Sequence, residues 1–334
     1  MPMPELTFAC ELESPELQAL FSDQRVIDDL LALQAGVSIG LIDLSPERAA
    51  VVQQLNEAGV PVTAWLLLPR QEGYWFNLDN APQAVACYAD FKVWTQDNAL
   101  QWAGVGIDIE PDFNEFQQLI QGDRWQLAPL ILQRIGDSGR ALDGRLTYGA
   151  LVREMRADGY QVTSYQLPFI VDERRVDATL LQRVLGIVDV PADRETLMIY
   201  TSFVRPMGPG FLNSYGADAG AIGVGSTGGG VEIAGSEPLT WGEFARDLGM
   251  AYRWTDDIFI FSLEGCVEQG FLSRLQDFDW EQPVVMPTAQ IEQVDRLRAV
   301  LRGVLWASNR PFTILAGLVG LFLLFRGLRR LLSR

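Results

Sequence analysis

Eight short runs rich in β-branched and aromatic residues alternate with amphipathic helical stretches between residue 5 and about residue 280. The runs cover residues 6–13, 37–43, 60–68, 103–110, 160–167, 196–202, 221–226 and 258–264. The clearest helix between them spans residues 45–59, with Ser45 as N-cap, Pro46 in the first turn and Gly59 just past the end. Eight βα units in roughly 275 residues match the ~250 residues of a (β/α)8 barrel. The competitor is an open doubly wound sheet, but no G-x-G-x-x-G follows the first run. The chain is therefore predicted to be α/β, with a (β/α)8 TIM barrel over residues 1–280. Residues 281–308 read as a Pro-marked linker and an amphipathic helix, and residues 309–334 as a membrane anchor.

Composition removes several function classes. The chain has no histidine, which excludes Ser-His-Asp triads, His-ligated zinc and His general bases. A formal charge of −17 and the lack of a basic face argue against nucleic acid as a partner. Cys10, Cys87 and Cys266 are odd in number and form no C-x-x-C, so they read as small hydrophobes in a reducing compartment. No basic n-region and long apolar h-region open the chain, so no secretory signal is read there. Near the other end, Pro311 to Phe325 are uncharged, with Arg310 before them and Arg326, Arg329 and Arg330 after. As a helix these fifteen residues span ~22 Å against a hydrocarbon core of ~30 Å, a gap that snorkelling arginines can close. The expectation is a single membrane anchor with the barrel on the cytoplasmic side, the alternative being a helix lying in the interface.

Side-chain alternation sorts the strand faces. In residues 103–110, Val105, Ile107 and Ile109 share one face, and Gly104, Gly106, Asp108 and Glu110 the other. If the branched set packs under the helices, Asp108 and Glu110 point into the mouth where barrel active sites are built. Neighbouring carboxyls raise one another's pKa, as a general acid at neutral pH requires. A structural alternative is pairing of one acid with Arg70. The same parity puts Glu11 inside at the first strand and Tyr200 at the sixth. In the eighth it groups Ile258, Ile260, Ser262 and Glu264 inward. Arg70, Tyr74 and Trp75 after the third strand, and Tyr165 and Gln166 on the fifth, are candidate substrate-binding groups, since sugar faces stack on aromatic rings. The glycine-rich stretch 223–230 either holds phosphate or forms a tight mouth loop.

These residues resemble family-18 glycoside hydrolases, the chitinases and their relatives, whose fourth strand ends D-G-x-D-x-D-x-E. Gly104, Asp108 and Glu110 match, whereas Ala103 and Gly106 stand in place of two aspartates. Met198 and Tyr200 match the family's M-x-Y-D, with Thr201 in place of the aspartate. The resemblance implies a glycoside hydrolase in which Glu110 is the general acid, Asp108 its modulator and Tyr200 a transition-state support. Glu264 is expected to be the second carboxylate. The expected activity is cleavage of a glycosidic bond in a carbohydrate or glycoconjugate, with no cofactor. The rival is a non-catalytic barrel that binds sugar or a partner protein at the membrane. A Mg²⁺ or Ca²⁺ site in the acidic mouth is a third reading, and no spacing here is diagnostic of a metal loop.

Overall fold

The computed structural model describes residues 3–121, 124–230 and 237–310. Each of the eight runs overlaps a strand: β1 (Glu5–Cys10), β2 (Gly36–Leu41), β3 (Val62–Leu66), β4 (Gly104–Ile109), β5 (Val162–Gln166), β6 (Arg194–Met198), β7 (Ala221–Gly225) and β8 (Asp257–Phe261). All pair in parallel and close in sequence order, with β8 returning onto β1 from Glu5↔Asp257 to Ala9↔Phe261. The intervening helices start where the sequence supplies caps. Ser45 accepts the Arg48 amide ahead of helix Pro46–Ala58, and Gly59 ends that helix at φ 81°. Thr240 and Glu243 form a reciprocal capping box at the start of helix Trp241–Ala251.

Two apolar shells result from the alternation. Val105, Ile107 and Ile109 on β4, like Ile258 and Ile260 on β8, are fully buried between sheet and helices. Each such side chain contributes roughly 1.5–3 kcal/mol relative to exposure. The inner shell is aromatic, built by Trp65, Tyr165, Phe259 and Phe261 with Ala9, Leu67 and Met198. So many large rings fit because glycines face them. A Cβ at Gly106 would stand 2.7 Å from the Tyr165 ring, and one at Gly40 3.1 Å from Leu67 and in contact with the Trp65 indole at 3.4 Å. Large residues on some strands and none on others fill the lumen at solid density.

The eighth strand corrects the parity expectation. Phe259 and Phe261 point into the barrel, while Ile258 and Ile260 pack outward. Both faces of this strand are apolar, so alternation by itself is silent, and the branched pair takes the helix-facing side as it does on β4. Several strands also end sooner than their apolar runs. Tyr200 precedes the short turn Thr201–Val204, and Glu264 lies in helix Leu263–Glu268.

Helix Thr288–Ser308 lies on the barrel, against helices Ile170–Val176 and Gly208–Gly216. Its buried Arg298 bonds Asp172 at 3.0 Å and Asp218 at 2.8 Å, donates to the Ser214 carbonyl and covers the Tyr215 ring at 3.8 Å. Among the described residues no helix is long and apolar enough to cross a membrane. The expected membrane localisation therefore takes no support from the described residues, and the stretch read as the anchor, residues 311–334, lies outside them.

Two stability outcomes follow. Arg298→Ala strands Asp172 in the interior, leaving Arg302 as its ion partner at 3.5 Å. It is expected to cost ~3–5 kcal/mol in urea unfolding. Gly106→Ala drives a methyl into the Tyr165 ring and is expected to cost about 1–3 kcal/mol in the same assay.

Candidate active site

The C-terminal ends of the strands surround a cavity of about 220 Å³. Glu11, Asp108 and Glu110 line it together with aromatic rings from β3, β5, β8 and the connecting segments. Asp108 projects inward from β4, 2% exposed, as its parity predicts. Neither its Oδ1 nor the Trp65 indole Nε1 makes a hydrogen bond of good geometry, and the indole nonetheless favours the ionised carboxyl. Glu110 follows one residue after the strand, half-buried, and takes no ion pair among the described residues.

Glu11 follows β1 directly and is held in place by two contacts. Tyr74 donates its phenol to Glu11 Oε1, and the Glu11 backbone amide donates to Glu264 Oε1 at 3.3 Å. Tyr74 reaches it from a left-handed backbone conformation, φ 65°, which a bulky residue adopts only when the surroundings enforce it. The enforcement comes from its loop: the Leu68 amide donates to the Tyr74 carbonyl, and Asn80 donates to the Trp75 carbonyl, both at 2.8 Å. Tyr200 stacks on Phe261 at 5.3 Å and lines the cavity beside Met198.

Among the described residues no lysine or arginine lines the cavity. Burial is the largest cause raising the carboxyls. Asp108 is pushed well above the usual carboxylate range by burial, then by Glu110 and Glu11, with the Trp65 indole opposing. Glu110 is pushed up to about 8 by burial and by the charge of Glu11. Glu264 rises to about 7 through burial, against lowering hydrogen bonds that include the Glu11 amide. Tyr200 keeps its proton, raised by burial and by Asp108 and Glu110. Among the described residues no group of three or more His, Cys, Asp or Glu is arranged to hold a metal ion.

The structure thus brings together Glu11, Asp108, Glu110, Tyr165, Tyr200 and Trp75, with Tyr74 immediately behind Glu11. Three sequence candidates lie elsewhere. Glu264 sits behind Glu11 and does not line the cavity. Gln166 is on the opposite face of β5, donating to the Val188 carbonyl at 3.3 Å. Arg70 is exposed on a short turn, over the rings of Tyr74 and Phe113, and pairs with neither Asp108 nor Glu110. Trp65, Phe259 and Phe261 were not among the sequence candidates. Trp65 is legible in retrospect, because Val62, Ala64 and Leu66 form the outward face of β3 and leave it inside. The glycine loop crosses the acids at close range: a Cβ on Gly230 would stand 2.4 Å from Glu11, and one on Gly229 2.5 Å from Glu264. Both glycines have positive φ, 66° and 77°. Carboxyls at that distance make the loop a poor cradle for phosphate.

Glu110→Gln tests the buried acid through stability. A free glutamate titrates at ~4.3, so the stabilisation from holding Glu110 neutral is complete below that pH and is lost as pH rises through about 8. The variant should match the parent at pH 4 and exceed it at pH 9, by on the order of 2 kcal/mol after allowance for partial exposure, in urea unfolding.

No family model and no curated protein sequence matches the chain. Solved structures with a similar fold include D-psicose 3-epimerase from Clostridium cellulolyticum H10 with D-tagatose, at 12% identity and TM-score 0.40, over 90% of this chain and 99% of that one. A D-psicose 3-epimerase in the presence of D-fructose gives 11% and 0.41, over 90% and 99%. An L-ribulose 3-epimerase gives 11% and 0.43, over 94% and 98%. These three are sugar epimerases and not glycoside hydrolases, so the expectation of O-glycosyl hydrolysis takes no support from them. The site supplies a physical reason. An aspartate at Gly106 has no room against Tyr165, and Thr201 turns away to donate to the buried Asp247. The chain is an eight-stranded parallel α/β barrel with an acidic, aromatic mouth.

Proposed function

We propose that the barrel mouth is an acid–base site that moves a proton on a small carbohydrate carrying a carbonyl group, an isomerase-type reaction. The observation that supports this is the enclosure of Glu11, Asp108 and Glu110 in one cavity of about 220 Å³, with Glu110 raised to about 8. A cavity below the roughly 300–1,000 Å³ of ordinary ligand pockets suits a small molecule. Its aromatic walls suit the C–H face of a sugar.

Glu11 and Glu110 leave the barrel at strands three apart, so they flank a bound molecule from different sides. Glu11, accepting the Tyr74 hydroxyl, is arranged as the carboxylate and hence the base. Glu110 retains its proton at neutral pH and is the acid. Glu11 takes the proton from the carbon beside the carbonyl, and the C–H electron pair becomes the C=C bond of an enediol. The carbonyl oxygen receives the proton of Glu110. Return of a proton to the other face, or to the former carbonyl carbon, gives an epimer or an aldose–ketose pair. Tyr200, a phenol that stays protonated, is suited to donate a hydrogen bond to the developing oxyanion.

The test is solvent exchange. D-fructose, D-tagatose and D-ribulose, each with an acidic C–H beside a carbonyl, are incubated with the protein in D2O and followed by proton NMR. Enzyme-dependent deuterium uptake at that carbon is expected. Glu110→Gln and Glu11→Gln should each reduce it by ~10²–10⁴-fold. The rate should fall above pH 8 as the acid is lost. Ketose spectra that stay unchanged beside active protein concentrations would sink this reading.

A further inference from the structure

Tyr200 stands two residues past the end of β6, where the sheet ladder no longer sets the direction of a side chain. Its aim therefore depends on the turn that follows, Thr201–Val204, and that turn is fastened from behind. Thr201, buried, donates its hydroxyl to the carboxylate of Asp247. The Ser226 amide donates to the Ser202 hydroxyl at 2.8 Å. Arg205, directly after the turn, pairs with Glu243 at 2.9 Å and donates to the carbonyls of Glu237 and Pro238 at 2.8 and 3.2 Å. Asp247 and Glu243 stand one turn apart on helix Trp241–Ala251, so a single helix outside the sheet carries two of the anchors.

Asp247 is fully buried, and a carboxylate in that position is costly unless its oxygens are answered. Arg246 pairs with Oδ1 at 2.8 Å, and Oδ2 is given to Thr201. Gly208, opening helix Gly208–Gly216, closes the other side of Thr201: a Cβ there would stand 2.7 Å from the Thr201 Cβ. Thr201 is thus held between a close backbone and a fixed acceptor. The ring of Tyr200 is seated with equal closeness. A Cβ at Gly223 or Gly225 on β7 would stand 3.2 or 3.3 Å from it, and it stacks on Phe261 at 5.3 Å and meets Phe203 edge-on at 5.9 Å.

We infer that Asp247 is a positioning residue for Tyr200: through the Thr201 hydroxyl it fixes the turn that aims the phenol into the cavity. The inference rests on the reading of the mouth as a proton-transfer site, in which Tyr200 donates to the developing oxyanion. Asp247 itself does not line the cavity. Its influence passes through Thr201, which shares a rigid peptide plane with Tyr200. An oxyanion donor is effective because it is held in place before charge develops, so loosening its anchor lowers the rate without removing the donor.

The test uses the full chain and four substitutions. Thr201→Val removes the donor at constant shape, and Thr201→Ser restores it. Thr201→Val combined with Asp247→Leu removes donor and acceptor together, leaving neither unpaired, and serves if the single variant does not fold. Tyr200→Phe removes the phenol. In deuterium exchange into the ketose that the parent turns over, Thr201→Val is expected to lower kcat by ~10–10²-fold, with KM changed by less than about twofold. Thr201→Ser should recover most of the rate. In the Tyr200→Phe background Thr201→Val should have no further effect, whereas a merely structural role would lower the rate again.

A second readout does not depend on turnover. The eight tyrosines are replaced by 3-fluorotyrosine, and the Tyr200 signal in the ¹⁹F NMR spectrum is identified by its loss in Tyr200→Phe. That signal should shift or broaden in Thr201→Val and in the double variant, and return in Thr201→Ser. An unmoved Tyr200 signal overturns the inference, as does an additive loss of rate in the Tyr200→Phe background. A displaced signal with no exchange into any ketose would refute the proton-transfer reading and leave the Asp247 tether standing. Exchange whose rate ignores Thr201→Val would do the reverse.

Discussion

Asp108 is a carboxyl held under aromatic rings, with no arginine or lysine among the described residues that line its cavity, and the character of the barrel mouth depends on that arrangement. An ionised carboxyl removed from water costs several kcal/mol unless it is paired, and a protein that meets this problem only structurally supplies a cation. This chain does so elsewhere: Arg298 answers Asp172, and the buried Arg48 answers Asp43 at 2.9 Å. At the mouth it leaves the acids to raise one another. Asp108 is pushed well above the usual carboxylate range and Glu110 up to about 8, and placing raised carboxyls in a cavity is a recurrent feature of chemical sites.

The rest of the architecture serves to bring these acids to one cavity. Strand β4 presents Asp108 by parity, and β1 ends so that Glu11 comes over the lumen. The loop after β3 gives Tyr74 an unfavourable backbone conformation and uses it to fix Glu11. Glycines on β2 and β4 leave room for the large rings of Trp65 and Tyr165, which form the apolar floor. The glycine-rich segment after β7 approaches Glu11 and Glu264 more closely than any side chain would permit.

Much of the fold could be read from the residues. The eight runs and their order predicted the closed barrel, and the branched face of residues 103–110 oriented Asp108 correctly. The chitinase-like motif was less informative, because a ten-residue likeness carries no information about what stands beside each residue. At Gly106 the neighbour is the Tyr165 ring, across a strand pairing that links Asp108 to Tyr165. Such a neighbour decides whether the missing aspartate is an absence or an impossibility. The apolar stretch after residue 310 likewise suggested an anchor by length and hydropathy, whereas the helix before it is one that docks on the barrel through Arg298.

The sequence by itself determined the strand count, the parallel closure and the inward acids of β1 and β4, because period-two alternation and helix caps are local properties. Only the tertiary structure decided which acids share a cavity. Glu264 had the right residue type and the wrong route: the strand stops at Phe261, and the helix that follows carries the carboxyl behind Glu11. Phe259 and Phe261 face the lumen because both sides of β8 are apolar and packing against the helices claims the branched pair. Where a strand ends, and which of two apolar faces turns inward, are set by the space its neighbours leave, and no local pattern records that space.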